Sequence, residues 1–309
     1  MNYSQKLKLV QKLSTKTQEQ LASELGVSFV TLNSWINDRS QPRRRKRELI
    51  DDLYQRVTGQ KKISVNELVA KKDIIGKKVT QRKDVIKFIR IHSDVYDELT
   101  LQLTYNSNRI EGSSLTIKET AAVIFDNVSL PDKDLVEHLE AKNHQTAFDF
   151  LMANIVRDFV IKEELILHLH RILMNGIRRD AGSYRRHGVR IVGTQVTTAN
   201  YMKVPELMKK LVKDINKTKK DVIEHVTEVH SRFEQIHPFS DGNGRIGRLL
   251  MSAMLMRRNI APALIKQEEK QLYYTDLEKS QLSDDNSLLQ DFVCDAVMDG
   301  FELLDRGNG

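Results

Sequence analysis

Apolar residues that recur at the spacing of one helical face are the strongest constraint on how this chain folds. From about residue 84 onward the pattern repeats in one segment after another, most clearly in residues 163–176 and 221–236. Residues 246–256 are apolar nearly all round, which predicts a buried central helix. The chain has only 5 prolines, and helix-forming residues dominate it. We therefore expect a mainly α-helical body.

Signals for β-structure are rare in the sequence. The clearest is residues 188–193, a short apolar run flanked by glycines, which is typical of one half of a hairpin. The sequence therefore predicts one β-hairpin near residues 183–200.

The positive charge of the chain is concentrated near its N-terminus. The net charge is +7, and residues 1–62 account for all of it, with 13 Lys and Arg against 6 Asp and Glu. The remaining residues are neutral overall. A basic module attached to a neutral body predicts an acidic partner for the module, with nucleic acid as the first candidate.

Several classes of protein are excluded by the composition. The single cysteine, Cys294, excludes an intramolecular disulfide and a cysteine-based zinc site. The longest apolar stretch, residues 249–256, is interrupted by Ser252 and is too short to span a bilayer. The first residues lack the apolar core and cleavage site of a signal peptide. We therefore expect a cytoplasmic protein with no membrane partner.

Residues 5–58 predict a small helical bundle. A first helix should end at Gly26, and Ser28 is placed to cap the next one. A run of five basic residues, 43–47, follows this second helix.

The segment that carries the chemistry is residues 236–248, IHPFSDGNGRIGR. Its glycines let successive backbone N–H groups point into one concavity, and the helix that follows adds partial positive charge, which makes a phosphate cradle. Arg245 and Arg248 are three residues apart and share a helical face, where both can bind phosphate. Asp241 is an oxygen ligand suited to Mg²⁺, and His237 is placed to act as a general base. This combination indicates phosphoryl or nucleotidyl transfer.

Residues 237–248 match every fixed position of the signature of the Fic family, and the chain resembles that family over about residues 95–290. The resemblance implies transfer of AMP from ATP to a Tyr, Thr or Ser hydroxyl of a target protein, with His237 as base and Asp241 as Mg²⁺ ligand. It assigns nucleotide binding to Gly242, Asn243, Gly244, Arg245 and Arg248. A related branch that phosphorylates its target has lysine at the position of Gly244, so the sequence favours adenylylation.

Two more segments resemble parts of this family. Residues 182–193 resemble its flap, a β-hairpin that pairs with the main chain of the target, which assigns target binding to Val189, Ile191, Val192 and Gly193. Tyr273 and Tyr274 resemble the tyrosine pair of the adenine pocket, and ordinary packing is the alternative for both. His230 is interpreted as a structural residue of its helix.

The segment Ser107-Asn-Arg-Ile-Glu111-Gly112 resembles the inhibitory motif of the family. The resemblance implies that Glu111 pairs with Arg248, so that the arginine cannot hold the γ-phosphate of ATP. In some relatives the same glutamate helps water to remove AMP from the target, and the sequence does not separate the two roles. We expect a helix to end at this motif, and Thr116 with Glu119 predicts a capping box for the next.

Residues 17–42 resemble a repressor-type helix-turn-helix. The second helix, from Ser28 to about Asn37, would lie in the major groove of DNA. The resemblance implies that this helix contacts the DNA bases with the side chains of Ser28, Thr31, Asn33 and Ser34. The basic run would contact phosphates through Arg43, Arg44 and Arg45. The alternative is a helical interaction or dimerisation module with a solvated basic face.

The sequence thus predicts a helix-turn-helix domain over residues 1–60, a linker or helical connector over 61–94, and a Fic domain over 95–309 whose inhibitory helix covers about 95–112. The favoured function is an auto-inhibited protein adenylyltransferase that uses ATP and Mg²⁺. Self-modification and a homo-oligomer are left open. The alternatives are a DNA-binding transcription regulator whose Fic body senses ATP or docks a protein, and removal of AMP by the same site. Gly244 disfavours phosphotransfer.

Overall fold

The chain divides into two compact units, residues 1–64 and 65–309. The computed structural model describes residues 2–14, 16–58, 63–191, 193–194, 196–282 and 285–306. Across these residues the secondary structure is helical, which confirms the mainly α-helical fold. None of the described helices is long and apolar enough to span a bilayer.

The first unit packs its helices around one small apolar core. The helices are α1 (Tyr3–Ser14), α2 (Gln18–Glu24), α3 (Phe29–Ile36) and α4 (Arg44–Thr58). The Thr17 side chain caps α2 and the Ser28 side chain caps α3, as expected for Ser and Thr before a helix. Gly26 has a φ of +62° between them, the left-handed conformation that lets a glycine end a helix. The turn between α2 and α3 therefore follows from local sequence.

The second unit is a larger helical assembly. Its helices are α5 (Val65–Gln81), α6 (Val85–Ile91), α7 (Ser93–Glu111), α8 (Ile117–Ile124), α9 (Leu135–Asn154), α10 (Glu163–Leu173), α11 (Val204–Ile215), α12 (Val222–Ile236), α13 (Asn243–Met256), α14 (Lys270–Leu282) and α15 (Ser287–Arg306). Single 3₁₀ turns at Tyr201–Lys203 and Gln267–Glu269 precede α11 and α14. The predicted capping box of Thr116 and Glu119 begins α8.

Helix α13 lies at the centre of the second unit, as its all-round apolar sequence predicted. Nearly all of its residues are buried, and α7, α9, α10 and α12 pack against it. The turn of residues 237–242 therefore leads directly into a helix that is buried nearly all round.

The segment predicted as a connector is structured from residue 65 onward. Residues 59–62 lie outside the described part of the chain, whereas α5 and α6 are regular helices and α5 packs against α15. Leu68 and Ile75 are seven residues apart and are buried on one face of α5. The many lysines around them made this apolar face hard to recognise in the sequence.

The predicted hairpin is not seen between residues 183 and 200, of which 192 and 195 lie outside the described part. No β-strand is present in the described residues of this segment. Side-chain hydrogen bonds hold this segment instead. Thr198 Oγ1 donates to the Val189 carbonyl at 2.7 Å, and Thr194 Oγ1 donates to Glu278 of α14 at 2.8 Å. A ladder of backbone bonds needs a partner strand, and these residues find none within their own segment.

Candidate active site

The turn between α12 and α13 brings the motif residues together. His237 ends α12 with a φ of +50°, and Gly242 precedes α13 with a φ of +77°. A Cβ on Gly242 would lie 2.8 Å from the Met174 sulfur, so this position needs glycine for space as well as for conformation. The sharp reversal directs the N-terminus of α13 towards the same cavity as His237.

The side chain of Asn243 closes this turn from inside. Its Oδ1 accepts the Phe239 N–H at 2.9 Å, and its Nδ2 donates to the Phe239 carbonyl at 2.9 Å. The side chain is buried. The family resemblance assigned Asn243 to the nucleotide, but its amide is used within the turn, so this residue builds the cradle.

His237 presents one ring nitrogen to the cavity. Its Nδ1 lies 3.1 Å from the Glu234 carbonyl, a contact in which the nitrogen donates. Burial lowers the pKa of His237, while the Glu234 carbonyl opposes this and the Arg185 cation adds to it. A neutral ring that donates from Nδ1 keeps a lone pair on Nε2. This nitrogen can accept a proton.

The two arginines of the motif are buried and occupied by carboxylates. Arg245 Nη1 donates to Glu140 of α9 at 2.7 Å, and Nη2 lies 3.5 Å from Asp241. Arg248 donates from Nη2 to Glu111 at 2.7 Å and from Nε to the Ser107 hydroxyl at 3.0 Å. Glu140 has no motif around it in the sequence, so its role as partner of Arg245 was not predicted.

The pairing predicted for Glu111 is present in the structure. Glu111 is the last residue of α7, and Gly112 follows with a φ of +112°. Burial alone would raise the pKa of Glu111, but the charge and hydrogen bond of Arg248, with smaller contributions from Arg245 and Lys270, lower it below its ordinary value. Glu111 is therefore ionised where it faces the turn.

Gly244 lies directly under this carboxylate. A Cβ at Gly244 would come within 2.2 Å of Glu111 Oε1 and 3.0 Å of Arg248 Nη1. The pairing of Glu111 with Arg248 in this geometry therefore leaves no room for a Cβ at this position, and the Cβ of a lysine there would displace the pair.

Three buried polar atoms beside the turn have no hydrogen-bond partner among the described residues. They are Arg245 Nε, Arg248 Nη1 and Glu234 Oε1. Such atoms are rare in folded proteins, and a ligand, an ion or an ordered water can complete their bonding. Burial raises the pKa of Glu234 to about 8, so its carboxyl is mostly protonated at neutral pH. Glu234 was not singled out from the sequence.

A cavity of about 750 Å³ opens in front of these groups. His237, Asp241 and Gly244 form its floor, Glu111 lies on one side, and Ile191 and Gly193 of the flap segment lie on another. Val192 lies outside the described residues, and Val189 is half-buried. The volume is in the range of sites that hold a nucleotide-sized ligand.

The tyrosine pair divides into two different environments. Tyr273 is fully buried and its hydroxyl lies 2.7 Å from His230 Nε2, which gives His230 the structural role expected for it. Tyr274 is 36% exposed and lines the cavity, where burial raises its pKa to about 12. Both tyrosines line the cavity, and Tyr274 is the more exposed member of the pair.

Asp241 is the residue best suited to bind a metal with a polyphosphate. Its side chain is 51% exposed and lies at the cavity floor. No group of three or more His, Cys, Asp or Glu side chains with metal-binding geometry occurs in the described part of the chain. Mg²⁺ commonly takes one or two carboxylates plus phosphates and water, so a single carboxylate beside a phosphate cradle fits this ion.

His170 is a further residue of the site that sequence reasoning did not find. Its Nδ1 accepts the Gly182 N–H at 2.8 Å, and its Nε2 donates to the Asp241 carbonyl at 3.1 Å. The ring stacks on Phe239 with centroids 3.7 Å apart. Burial lowers the pKa of His170 to about 4, which keeps the ring neutral and both bonds intact. Its effect is to tie the flap base to the catalytic turn.

The residues predicted to contact DNA lie in α3, at its cap Ser28 and in the basic run at the start of α4. Ser28 and Thr31 are bonded to each other, Asn33 donates to Gln18, and Ser34 is bonded to Ser40. Arg43, Arg44 and Arg45 are exposed. On α3 the most exposed large side chains are apolar, with Phe29 at 43% and Val30 at 75%. These two were not predicted as contacts.

Comparisons with known proteins find similarity to one family. Residues 160–255 match the Fic/DOC family. The chain is 30% identical over 197 residues to a protein of Nematostella vectensis named protein adenylyltransferase Fic, and 28% identical over 210 residues to its namesake in Drosophila mojavensis. These matches cover 60% and 67% of this chain. The chain spans less than half the length of either relative, 44% and 41%.

Solved structures show the same fold. Fic-1 from C. elegans matches with a TM-score of 0.68 at 20% identity, over 93% of this chain and 84% of that one. A Fic domain containing signaling protein from Bacteroides thetaiotaomicron matches with a TM-score of 0.65 at 20% identity, over 76% of this chain and 98% of that one. Residues 160–255 thus resemble the Fic/DOC family in sequence, and the chain shares the fold of solved Fic proteins.

Proposed function

We propose that the chain is an auto-inhibited protein adenylyltransferase. The observation that carries the proposal is the free Nε2 of His237 at the floor of a nucleotide-sized cavity, next to two arginines with unpartnered buried nitrogens. The names of the relatives support the same reaction. The substrates would be ATP and a protein that carries a Tyr, Thr or Ser hydroxyl.

The proposed reaction is a single displacement at the α-phosphorus of ATP. The hydroxyl oxygen of the target attacks phosphorus while His237 Nε2 accepts its proton, and the bond to the β-phosphate breaks so that pyrophosphate leaves. Backbone N–H groups at the start of α13 lie where they can donate to the α-phosphate. Mg²⁺ held by Asp241 would neutralise charge on the phosphates. Arg245 and Arg248 would bind the outer phosphates.

Auto-inhibition follows from the partner that Arg248 already has. Glu111 occupies the guanidinium through Nη2, and its negative charge lies beside the cradle. A triphosphate would have to displace this carboxylate or bind with its outer phosphates elsewhere. Either outcome lowers the fraction of ATP in the reactive pose.

The test is transfer of label from ATP to protein in the presence of Mg²⁺. We expect Glu111→Gly to raise transfer of the α-label by about ten- to a hundredfold, since a freed charge-assisted contact is worth about 1.5–3 kcal/mol. Adding His237→Ala should abolish the gain. Glu24→Gly, which removes the carboxylate that ends α2 in the first unit, is the matched control and should behave as wild type.

Other results would redirect the proposal. Transfer of γ-label alone would indicate phosphotransfer. Release of AMP from a modified target that depends on Glu111 would indicate the reverse reaction. ATP binding without transfer of either label in Glu111→Gly would indicate a nucleotide-sensing regulator.

We propose sequence-specific DNA binding as a second function, for the first unit. Its support is the exposed basic run 43–45, which follows α3 in the chain. The Phe29 and Val30 side chains are exposed at the capped N-terminus of α3. Apolar side chains at such positions contact thymine methyl groups in the major groove. Selection from random duplex DNA with the full chain tests this. Failure to enrich any sequence, with equal weak binding to all duplexes, would contradict it.

A further inference from the structure

Arg185 is a buried cation whose bonds all go to the main chain. Its side chain is 2% exposed, and its guanidinium donates to the carbonyls of His237 at 2.7 Å and His187 at 2.7 Å, and also to that of Ala199. Among the described residues it forms no ion pair. Taking a charge out of water without a counter-ion is costly, so a side chain in this position needs a compensating role.

The bonds of Arg185 converge on the catalytic histidine. Its guanidinium also donates to the Ile236 carbonyl at 3.3 Å, and its own backbone N–H donates to the Pro238 carbonyl at 3.0 Å. One residue therefore binds the carbonyls of three successive residues, 236 to 238. These carbonyls end α12, where the helix dipole favours a cation.

His237 needs such support because of its backbone. Its φ of +50° and ψ of +62° are left-handed, a conformation that costs a residue with a Cβ about 1–2 kcal/mol. A strained conformation persists where its surroundings over-determine it. Arg185 supplies this constraint from the base of the flap segment.

The charge of Arg185 also acts on the imidazole ring. The charged and polar groups that face His237 are Arg185, the Glu234 carbonyl of its own helix, Glu111 of α7 and Asp241 of the turn. The two carboxylates and the carbonyl favour the protonated ring. Burial disfavours it most, and Arg185 is the cation that opposes the carboxylates.

We propose that Arg185 is the positioning residue of the general base: it holds His237 in its left-handed conformation, and its positive charge disfavours the protonated ring. The inference rests on the proposed function, in which His237 accepts the proton of the target. The two contributions separate by substitution, because lysine retains the charge but cannot reproduce the four carbonyl contacts of the guanidinium, whereas glutamine removes the charge.

The test compares Arg185→Lys, Arg185→Gln and Arg179→Gln in the Glu111→Gly background. Arg179 is exposed and is the control for loss of one arginine. The first measurement is the NMR titration of the His237 ring, assigned by comparison with His237→Ala. We expect Arg185→Gln to raise its midpoint by about half to one pH unit, and the other two variants to leave it unchanged.

The second measurement is the pH dependence of adenylyl transfer. We expect kcat to fall about tenfold or more in both Arg185 variants while KM for ATP stays within about twofold, with the acid limb moved upward only in Arg185→Gln. An unmoved His237 midpoint in Arg185→Gln would overturn the electrostatic role, and an unchanged kcat in Arg185→Lys would overturn the positioning role. If the Glu111→Gly parent transfers no label, the proposed function fails, but the NMR titration still decides whether Arg185 sets the protonation of His237.

Discussion

The arginines of the candidate site in the second unit and those of the basic run in the first unit differ in their surroundings. In the second unit Arg185, Arg245 and Arg248 are almost fully buried, and each is held by named oxygens at defined distances. In the first unit Arg44 is 94% exposed, and its 3.5 Å pair with Glu48 lies on the surface. A buried guanidinium acts through geometry, because its orientation is set and its field is poorly screened. Exposed arginines act together through the electric field that they create, and salt screens this field.

The largest effect expected from this difference concerns His237, the proposed general base of the buried site. In the Glu111→Gly background, His237→Ala should lower the rate of transfer by about a hundredfold to ten-thousandfold, the usual contribution of a general base. The dissociation constant for ATP, measured by calorimetry, should change by less than about threefold. A loss of ATP binding in step with the rate would mean that His237 holds the nucleotide instead.

Exposed charge should produce the next largest effect, on DNA. Replacing Arg43, Arg44 and Arg45 together by Ala should weaken binding to duplex DNA by about ten- to a hundredfold at low salt. The slope of log K against log salt should become shallower by about 2 to 3, one unit for each lost phosphate contact. The control replaces three exposed cations of the second unit, Arg157, Lys209 and Lys213, and should leave the slope unchanged. Equal slopes in both variants would remove DNA binding from the first unit.

Exchange of arginine for lysine separates geometry from charge most directly. Arg245→Lys keeps the charge but loses the planar fork that lies between Glu140 and Asp241, so transfer should fall by about tenfold. Lysine at positions 43, 44 and 45 together should leave DNA affinity within about twofold. If Arg245→Lys leaves the transfer rate unchanged and the triple exchange leaves DNA affinity unchanged, the buried arginine acts as a charge alone. The contrast between the two sets of arginines then does not hold.

The smallest effect is on stability and concerns Glu234. Its pKa is raised to about 8 in the folded chain, so the folded state holds a proton that the unfolded state loses above about pH 4.5. The contribution of this group to the free energy of unfolding is therefore fully present below about pH 4.5. It is lost as the pH rises through about 8. Glu234→Gln mimics the neutral acid and does not titrate.

The melting temperatures of wild type and Glu234→Gln should therefore diverge with pH. They should be close at pH 4.5, and the variant should melt higher by about 2–4 °C for each kcal/mol gained at pH 8.5. Glu228→Gln, on the same helix and at the surface, should show no such divergence. A constant difference between wild type and Glu234→Gln at every pH would mean that Glu234 does not titrate in this range.

The parts of the site that sequence reasoning identified are those set by local chemistry. The glycine turn, the arginines three residues apart and the caps at Ser28 and Thr116 depend on neighbours within a few residues. The flap segment shows the limit of such reasoning, because a short apolar run becomes a strand only when a partner strand is present. Arg185 lies within that segment and received no assignment from it.

Contacts between distant segments account for the rest. Glu140 meets Arg245 across 105 residues of chain, and no periodicity or motif marks it. The pairing of Glu111 with Arg248 was inferred from the resemblance, while the unpartnered atoms beside it depend on which helices close around α13. Burial, which sets the protonation of His170, Glu234 and His237, exists only after those helices have packed.

The amino-acid sequence by itself determined the helices, their caps, the phosphate cradle and the uneven distribution of charge, because each follows from residues close together in the chain. The tertiary structure decided which side chains meet in the cavity, which of them lose water, and which ring nitrogen of His237 is free. Distance and dielectric environment are properties of the packed fold, and they convert a set of suitable residues into a site with defined proton acceptors and donors.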